Sequence, residues 1–203
     1  MKKLLLILLI SLSYIASAGQ LDDNIQKLKA SNSCEGCNLQ GANLRGQYLN
    51  GANLSGADLL GAILSRVFLS NADLSGANLI RADITRANLR EANFSEANLS
   101  QAELMKTSLT GANLQKANLM GADLTDASLF GAILVRANLS HADLSGANLR
   151  WTSIGETDLS HSNLSGADLS YATLIEVNLT GANLKETIFC NTTTSWGVDN
   201  SGC

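Results

Sequence analysis

The sequence predicts an all-β solenoid, a chain wound into a polygonal coil whose turns stack like strands. Three observations predict it. A large apolar residue recurs every five positions from Leu39 to Phe189, through 31 unbroken pentapeptides between 37 and 191. The residue two places earlier is small, Ala in 22 of the 31. The 203-residue chain has no proline. A repeat this regular decides the architecture before any other feature is read.

Period five excludes the ordinary elements. On an α-helix, five residues advance about 140° beyond a full turn, so the leucines would smear over every side. On a straight strand an odd period flips the side chain at each repeat. The chain must therefore turn once per repeat, with each pentapeptide forming one side of a polygon. The central residue points to the axis: Leu 27 times, Ile at 84 and 154, Phe at 94 and 189. Ala fits a narrow slot near the corner, where Gln47 is the one large exception. Stacked coils lie about 4.8 Å apart and pair like strands. Proline is absent because each backbone N–H is expected to bond the coil above or below. The position between the small and the axial residue is Asn or Asp 21 times.

Composition narrows the function classes. With 45% hydrophobic residues the chain is not disordered. Without proline or a glycine triplet it is not collagen. Fourteen basic against 18 acidic residues give a net charge of −4, which does not favour nucleic-acid binding.

Taken in order, residues 1–18 read as a secretory signal peptide. Lys2 and Lys3 precede an apolar run from Leu4, and Ala16-Ser17-Ala18 offers a cleavage site. The run is short for a spanning helix, which needs about 20 apolar residues; the alternative is an uncleaved anchor. No cysteine follows Ala18, against a lipoprotein anchor. Cleavage leaves 12 basic and 18 acidic residues, 12 − 18 = −6, and no stable membrane insertion. Residues 19–36 form an N-terminal cap segment. Within it Leu21, Ile25 and Leu28 fall on one face of a short helix over 21–30, with Asp22 and Asp23 in its first turn and Lys27 and Lys29 in its last. A solenoid needs such a cover, because its ends expose core.

Runs such as Ala42-Asn43-Leu44-Arg45-Gly46, Ala52-Asn53-Leu54-Ser55-Gly56 and Ala72-Asp73-Leu74-Ser75-Gly76 resemble the A-(D/N)-L-x-x signature of pentapeptide repeat proteins. The resemblance covers residues 37–191, and the chain looks like an exported bacterial member. It implies a right-handed quadrilateral β-helix with four pentapeptides per coil, hence nearly eight coils and a rod roughly 35–40 Å long. Cys34-Glu35-Gly36-Cys37-Asn38-Leu39 resembles the C-x-G-C-x-L opening of such proteins. Phe189-Cys190-Asn191-Thr192-Thr193 resembles a common ending, which closes on Cys203. Ser195-Trp196-Gly197 departs from the Pro-Asp-Gly turn usual there.

Four cysteines allow three connectivities. On a rod of that length, the ~7 Å Cα limit leaves only Cys34–Cys37 and Cys190–Cys203 within one chain. The second closes the tail, 192–203, and is worth about 3 kcal/mol on the chain-entropy model. A C-x-x-C can also serve redox or zinc chemistry. The inward slot of Cys37, the lack of further Cys or His nearby and the oxidising compartment favour a structural staple.

The implied four-sided register stacks residues 20 apart. Counting sides from Leu39, side 2 carries a column of Asp83, Glu103, Asp123 and Asp143, and three residues on a column of Arg66, Arg86 and Lys106 that ends in Asp126. A solvated lattice of mixed charge explains them; the alternative is a cation or basic-partner site near Asp123, Asp126 and Asp143. His141 over His161 on side 1 has no acid or Cys in its column, and no ligand role is assigned. Side 3 holds every outward aromatic of the repeats: Tyr48, Phe68, Phe130, Trp151 and Tyr171. Arg90 and Arg150 share it. Exposed aromatics mark docking sites, although stacking between coils would also place them.

No nucleophile lies with a His and a carboxylate in register, and there is no phosphate loop or HExxH. The expectation is a non-enzymatic scaffold without cofactor or metal. It is exported to the periplasm or beyond the cell, and it docks a protein partner or self-associates through the side 3 aromatics. Two alternatives stand beside it. The acidic rod resembles the gyrase-protecting DNA mimics of the same family, which the signal peptide disfavours. The His141/His161 or acidic columns could instead carry metal or enzymatic chemistry.

Overall fold

The computed structural model describes residues 19–203, and the signal-peptide reading of 1–18 falls outside the described residues. Residues 19–31 are helical (α1). Leu28 is fully buried and Leu21 and Ile25 pack against the core, so the apolar stripe of α1 covers the first coil. The helix stops where Asn32 adopts φ of 53° and its N–H donates to the Leu28 carbonyl at 2.9 Å. A left-handed residue at this position satisfies a carbonyl that the helix leaves orphaned. Among the described residues no helix is long and apolar enough to cross a membrane.

Beyond α1 the chain winds in four-sided coils. Twenty-eight parallel bridges join residues 20 apart, from Ser33–Asn53 to Asp168–Ile188. That register makes four pentapeptides one coil, as the family resemblance implies. The axial leucines are buried along almost the whole rod, with Phe94 taking the same slot, and the alanines line them at the corners. Polar residues in the small slot find backbone partners: Thr107 and Thr157 hydroxyls donate to the Ile84 and Leu134 carbonyls at 3.1 and 2.6 Å.

The destination of each N–H corrects one expectation. Around Leu99, Asn98 N–H donates to Ala77 of the previous coil at 2.9 Å, while Leu99 and Gln101 donate to Asn118 and Met120 of the next at 2.7 and 2.9 Å. Ala102 N–H instead closes a turn onto Leu99 at 3.1 Å, and Ser100 N–H donates to Asn98 Oδ1 at 3.1 Å. Three of five N–H groups hold the stack, one closes the corner and one goes to a side chain. The last explains the Asn/Asp column. Where Asn or Asp precedes the axial residue, its side chain accepts from the amide two residues on, as Asp123 does from Thr125 and Asn138 from Ser140, a local bond that Asn and Asp are built to make. Seven asparagines also donate to the Asn or Asp one coil earlier, as Asn113 does to Asn93 at 3.1 Å.

Both boundaries move outward. Ser33 already pairs with Asn53 and Cys34 fills an axial slot, fully buried, so the coil claims the last four residues of the 19–36 cap segment. At the other end β1 (Thr173–Leu174) pairs in parallel with β2 (Thr192–Thr194), so the repeat runs past 191 into the expected tail. Thr192 takes the small slot and Thr194 the axial one, both buried. The chain then turns through Ser195 and Trp196, and β3 (Gly197–Asp199) returns antiparallel to β2. This hairpin covers part of the last coil, where Phe189 is only half-buried. Cys34 is bonded to Cys37 with Cα atoms 5.3 Å apart, joining an axial slot to the next small slot. Cys190 is bonded to Cys203 at 4.8 Å.

Candidate functional site

The surface chemistry is organised by the corners. The second residue after each axial position, from Gly36 to Asn191, has φ between 54° and 71°. Thirteen of these 32 corners are Gly and 19 are not. The left-handed region costs an ordinary L-residue roughly 1–2 kcal/mol, so the stack imposes this conformation on arginine, tryptophan and histidine alike. Side chains there lean toward the next coil. A Cβ placed on Gly181 would lie 2.6 Å from His161 Nδ1, and one on Gly146 2.6 Å from an Asp126 oxygen. Vertical ladders result. On the corner after side 4, Lys116 pairs with Glu96 at 3.0 Å and Arg136 with Glu156 at 2.8 Å. This column was missed by the sequence reading, although the 20-residue spacing carries the signal. The ion pair holds the Glu156 carboxyl below the usual carboxylate range and raises Arg136.

The acidic column of side 2 forms as expected, with Asp83, Glu103, Asp123 and Asp143 bridged in sequence. Its aspartates are engaged in the fold: Asp83, Asp123 and Asp143 accept from the amides of Thr85, Thr125 and Ser145 at 2.9–3.1 Å. Partial burial pushes the Asp83 carboxyl up, but bonds from Thr85 and Ser65 and the charge of Arg45 outweigh it, and the net shift is downward. Asp143 behaves alike, through Ser145 and Asn163. Asp126 lies 3.8 Å from Lys106. His141 and His161 stack face to face, centroids 5.1 Å apart. Among the described residues no three His, Cys, Asp or Glu side chains gather as a metal site.

The five aromatics share a side of the coil but not a patch. Tyr48 and Phe68 stack at 4.6 Å in the position before the axial residue, Tyr48 almost free and Phe68 half-buried. Trp151 and Tyr171 stack at 4.5 Å on the corner after side 3, four coils beyond Phe68, or about 19 Å at strand spacing. Phe130 stands between, next to the bare corner Gly131, one coil below Trp151. Ile133, across that corner, is 43% exposed, and the outward-only reading of aromatics overlooked it. Phe130, Ile133, Trp151 and Tyr171 thus line one edge of the rod, while Tyr48 and Phe68 belong to another.

The family model for pentapeptide repeats matches in eight copies, at residues 33–66, 57–90, 87–126, 122–160 and 153–191. HetL, a pentapeptide repeat protein involved in heterocyst differentiation regulation in Nostoc sp. strain PCC 7120, is 32% identical; the match covers 85% of this chain and 96% of HetL, with a TM-score of 0.29. A pentapeptide repeat protein of the Arabidopsis thaliana thylakoid lumen is 39% identical over 49% of this chain and 63% of its own, TM-score 0.31. QnrB1, a plasmid-mediated fluoroquinolone resistance protein, is 20% identical over 81% and 86%, TM-score 0.46. No curated protein matches. The repeat matches span 33–191, the same stretch over which the coils stack, and this chain therefore belongs to the pentapeptide repeat family.

Proposed function

We propose that this chain is a non-enzymatic, exported scaffold that docks a protein partner along the edge formed by Phe130, Ile133, Trp151 and Tyr171. One observation carries the reading. Trp151 is 55% exposed and held at φ of 61°, beside Tyr171 at 62°. These are the bulkiest side chains at any corner, they bear the left-handed cost, and their rings lie outside the core. Large aromatics presented on a rigid scaffold are the usual anchors of protein interfaces. Export is supported by the pattern of residues 1–18 and by two disulfides, which persist in oxidising compartments.

A photo-crosslinking residue placed at Phe130 in expressing cells tests the edge, with Met120 on the opposite side as control. The expected result is a discrete adduct from position 130 that is absent from 120 and lost in W151S/Y171S. The same adduct from both positions overturns the edge. Fractionation tests export separately: protein found wholly in the cytosol overturns it and returns the topoisomerase-binding reading.

A further inference from the structure

The corner after side 2 breaks the rule that the other charged corner follows. Lys116 and Arg136 each answer an acid one coil away. Arg66, Arg86 and Lys106 instead stack three cations on successive coils, all exposed. Only Lys106 reaches an acid, Asp126 at 3.8 Å; among the described residues Arg66 and Arg86 make no ion pair. Asp83 and Glu103 stand three residues before Arg86 and Lys106 and form no ion pair with them. Like charges on one column repel, so the arrangement is improved by an external anion. A shallow depression opens there, lined by Thr85, Arg86, Met105 and Lys106. One coil below Arg66 the corner is Gly46, with open space around it, and beside it stands Tyr48, 78% exposed and backed by Phe68.

We propose that this edge binds an acidic linear polysaccharide of the uronate type. Arg66, Arg86 and Lys106 each take one carboxylate, and a sugar ring packs over Gly46 against Tyr48. The spacing selects the ligand class. Cations recur once per coil, about 4.8 Å, close to the rise of one sugar in an extended 1,4-linked chain. Duplex nucleic acid presents a phosphate every ~3.4 Å per strand, out of step with the ladder. Arginine also suits carboxylates through its two-pronged geometry. The site is independent of the Trp151 edge and lies at the other end of side 3.

The test is titration of the purified chain with an oligogalacturonate of eight residues, by thermophoresis at low and high salt. A neutral cello-oligosaccharide and a single-stranded oligonucleotide serve as competitors. Binding is expected for the oligogalacturonate alone, weakening with salt as counterion release requires. R66Q/R86Q should lose at least tenfold in affinity and flatten the salt dependence, and Y48S should weaken binding at all salt concentrations. K116Q/R136Q, which removes the same number of cations from the opposite corner, should leave binding unchanged. No binding at low salt overturns the proposal, as does equal loss in both double variants or tighter binding of the oligonucleotide.

Discussion

The first coil and a half and the remainder of the rod solve the same corner differently. From Gly36 to Gly61 all six corners are glycine, the residue that takes a positive φ without strain. From Arg66 to Asn191 only seven of 26 are glycine, and the other 19 hold the same φ with a Cβ in place. The backbone is alike in both regions, so corner geometry is set by the stack and not by the residue. What changes is the surface. Glycine corners are bare, whereas side-chain corners build the ion-pair, histidine and aromatic ladders. The strained part of the rod is therefore the part whose corners carry side chains.

That comparison can be broken most severely by attacking what both regions share. Asn118→Pro removes the bond to Ala97 and the side-chain acceptor for Met120; it should cost at least ~3 kcal/mol, judged from proline in other regular elements, and thermal melting should show a collapse. Met105→Pro, at the first turn residue where the N–H has no protein partner, should stay within about 1 kcal/mol of the parent, since turns favour proline there. Gly181→Ala combines a φ of 71° with a 2.6 Å approach to His161 and should cost about 2 kcal/mol on left-handed strain plus the clash. In an H161A background about half of that should return; no rescue would remove His161 from the explanation. Gly56→Ala, in open space at φ of 61°, should cost only the conformational term, about 1 kcal/mol. The reverse change, Arg86→Gly, should gain a few tenths of a kcal/mol, because glycine also loosens the unfolded chain. If G56A and R86G both prove neutral, the corners are not strained and the contrast between regions is only cosmetic.

Acid should act more gently, through carboxylates beyond the glycine corners. Asp83, Asp143 and Asp158 have lowered folded pKa values, Asp158 through the amide and hydroxyl of Ser160 first, with smaller help from Asn178 and His141. A lowered folded value means that the stabilisation is complete above the unfolded carboxylate pKa, about 3.9, and is lost as pH falls through the folded one. Melting temperature should be flat from neutrality to about pH 5 and decline below about pH 4 on that basis.

Much of this was legible from residues. Period five placed Leu and Ala in the core, and the 20-residue register brought Asp83 over Glu103 and Trp151 over Tyr171. The corner conformation was not read from the sequence, since 19 of its 32 positions are occupied by residues other than glycine. Ser33 and Cys34 escaped the repeat because Cys replaces Leu in the axial slot, and Thr192–Thr194 because Thr does. The five aromatics looked like one cluster because a side is one-dimensional in sequence; height along the axis and position across the side separate them.

The four-sided register also makes the molecule a protractor. Excising one pentapeptide from mid-rod would leave every buried slot filled and every corner in phase, yet turn all that follows by a quarter revolution. The Trp151 edge would then point away from its former bearing relative to the Arg66 edge, with each ladder intact except at the joint. Excising four pentapeptides would restore the bearing and shorten the rod by one rung. In this architecture the angle between two surface features is stored as a count of repeats, and it can be reset in steps without redesigning a single core contact.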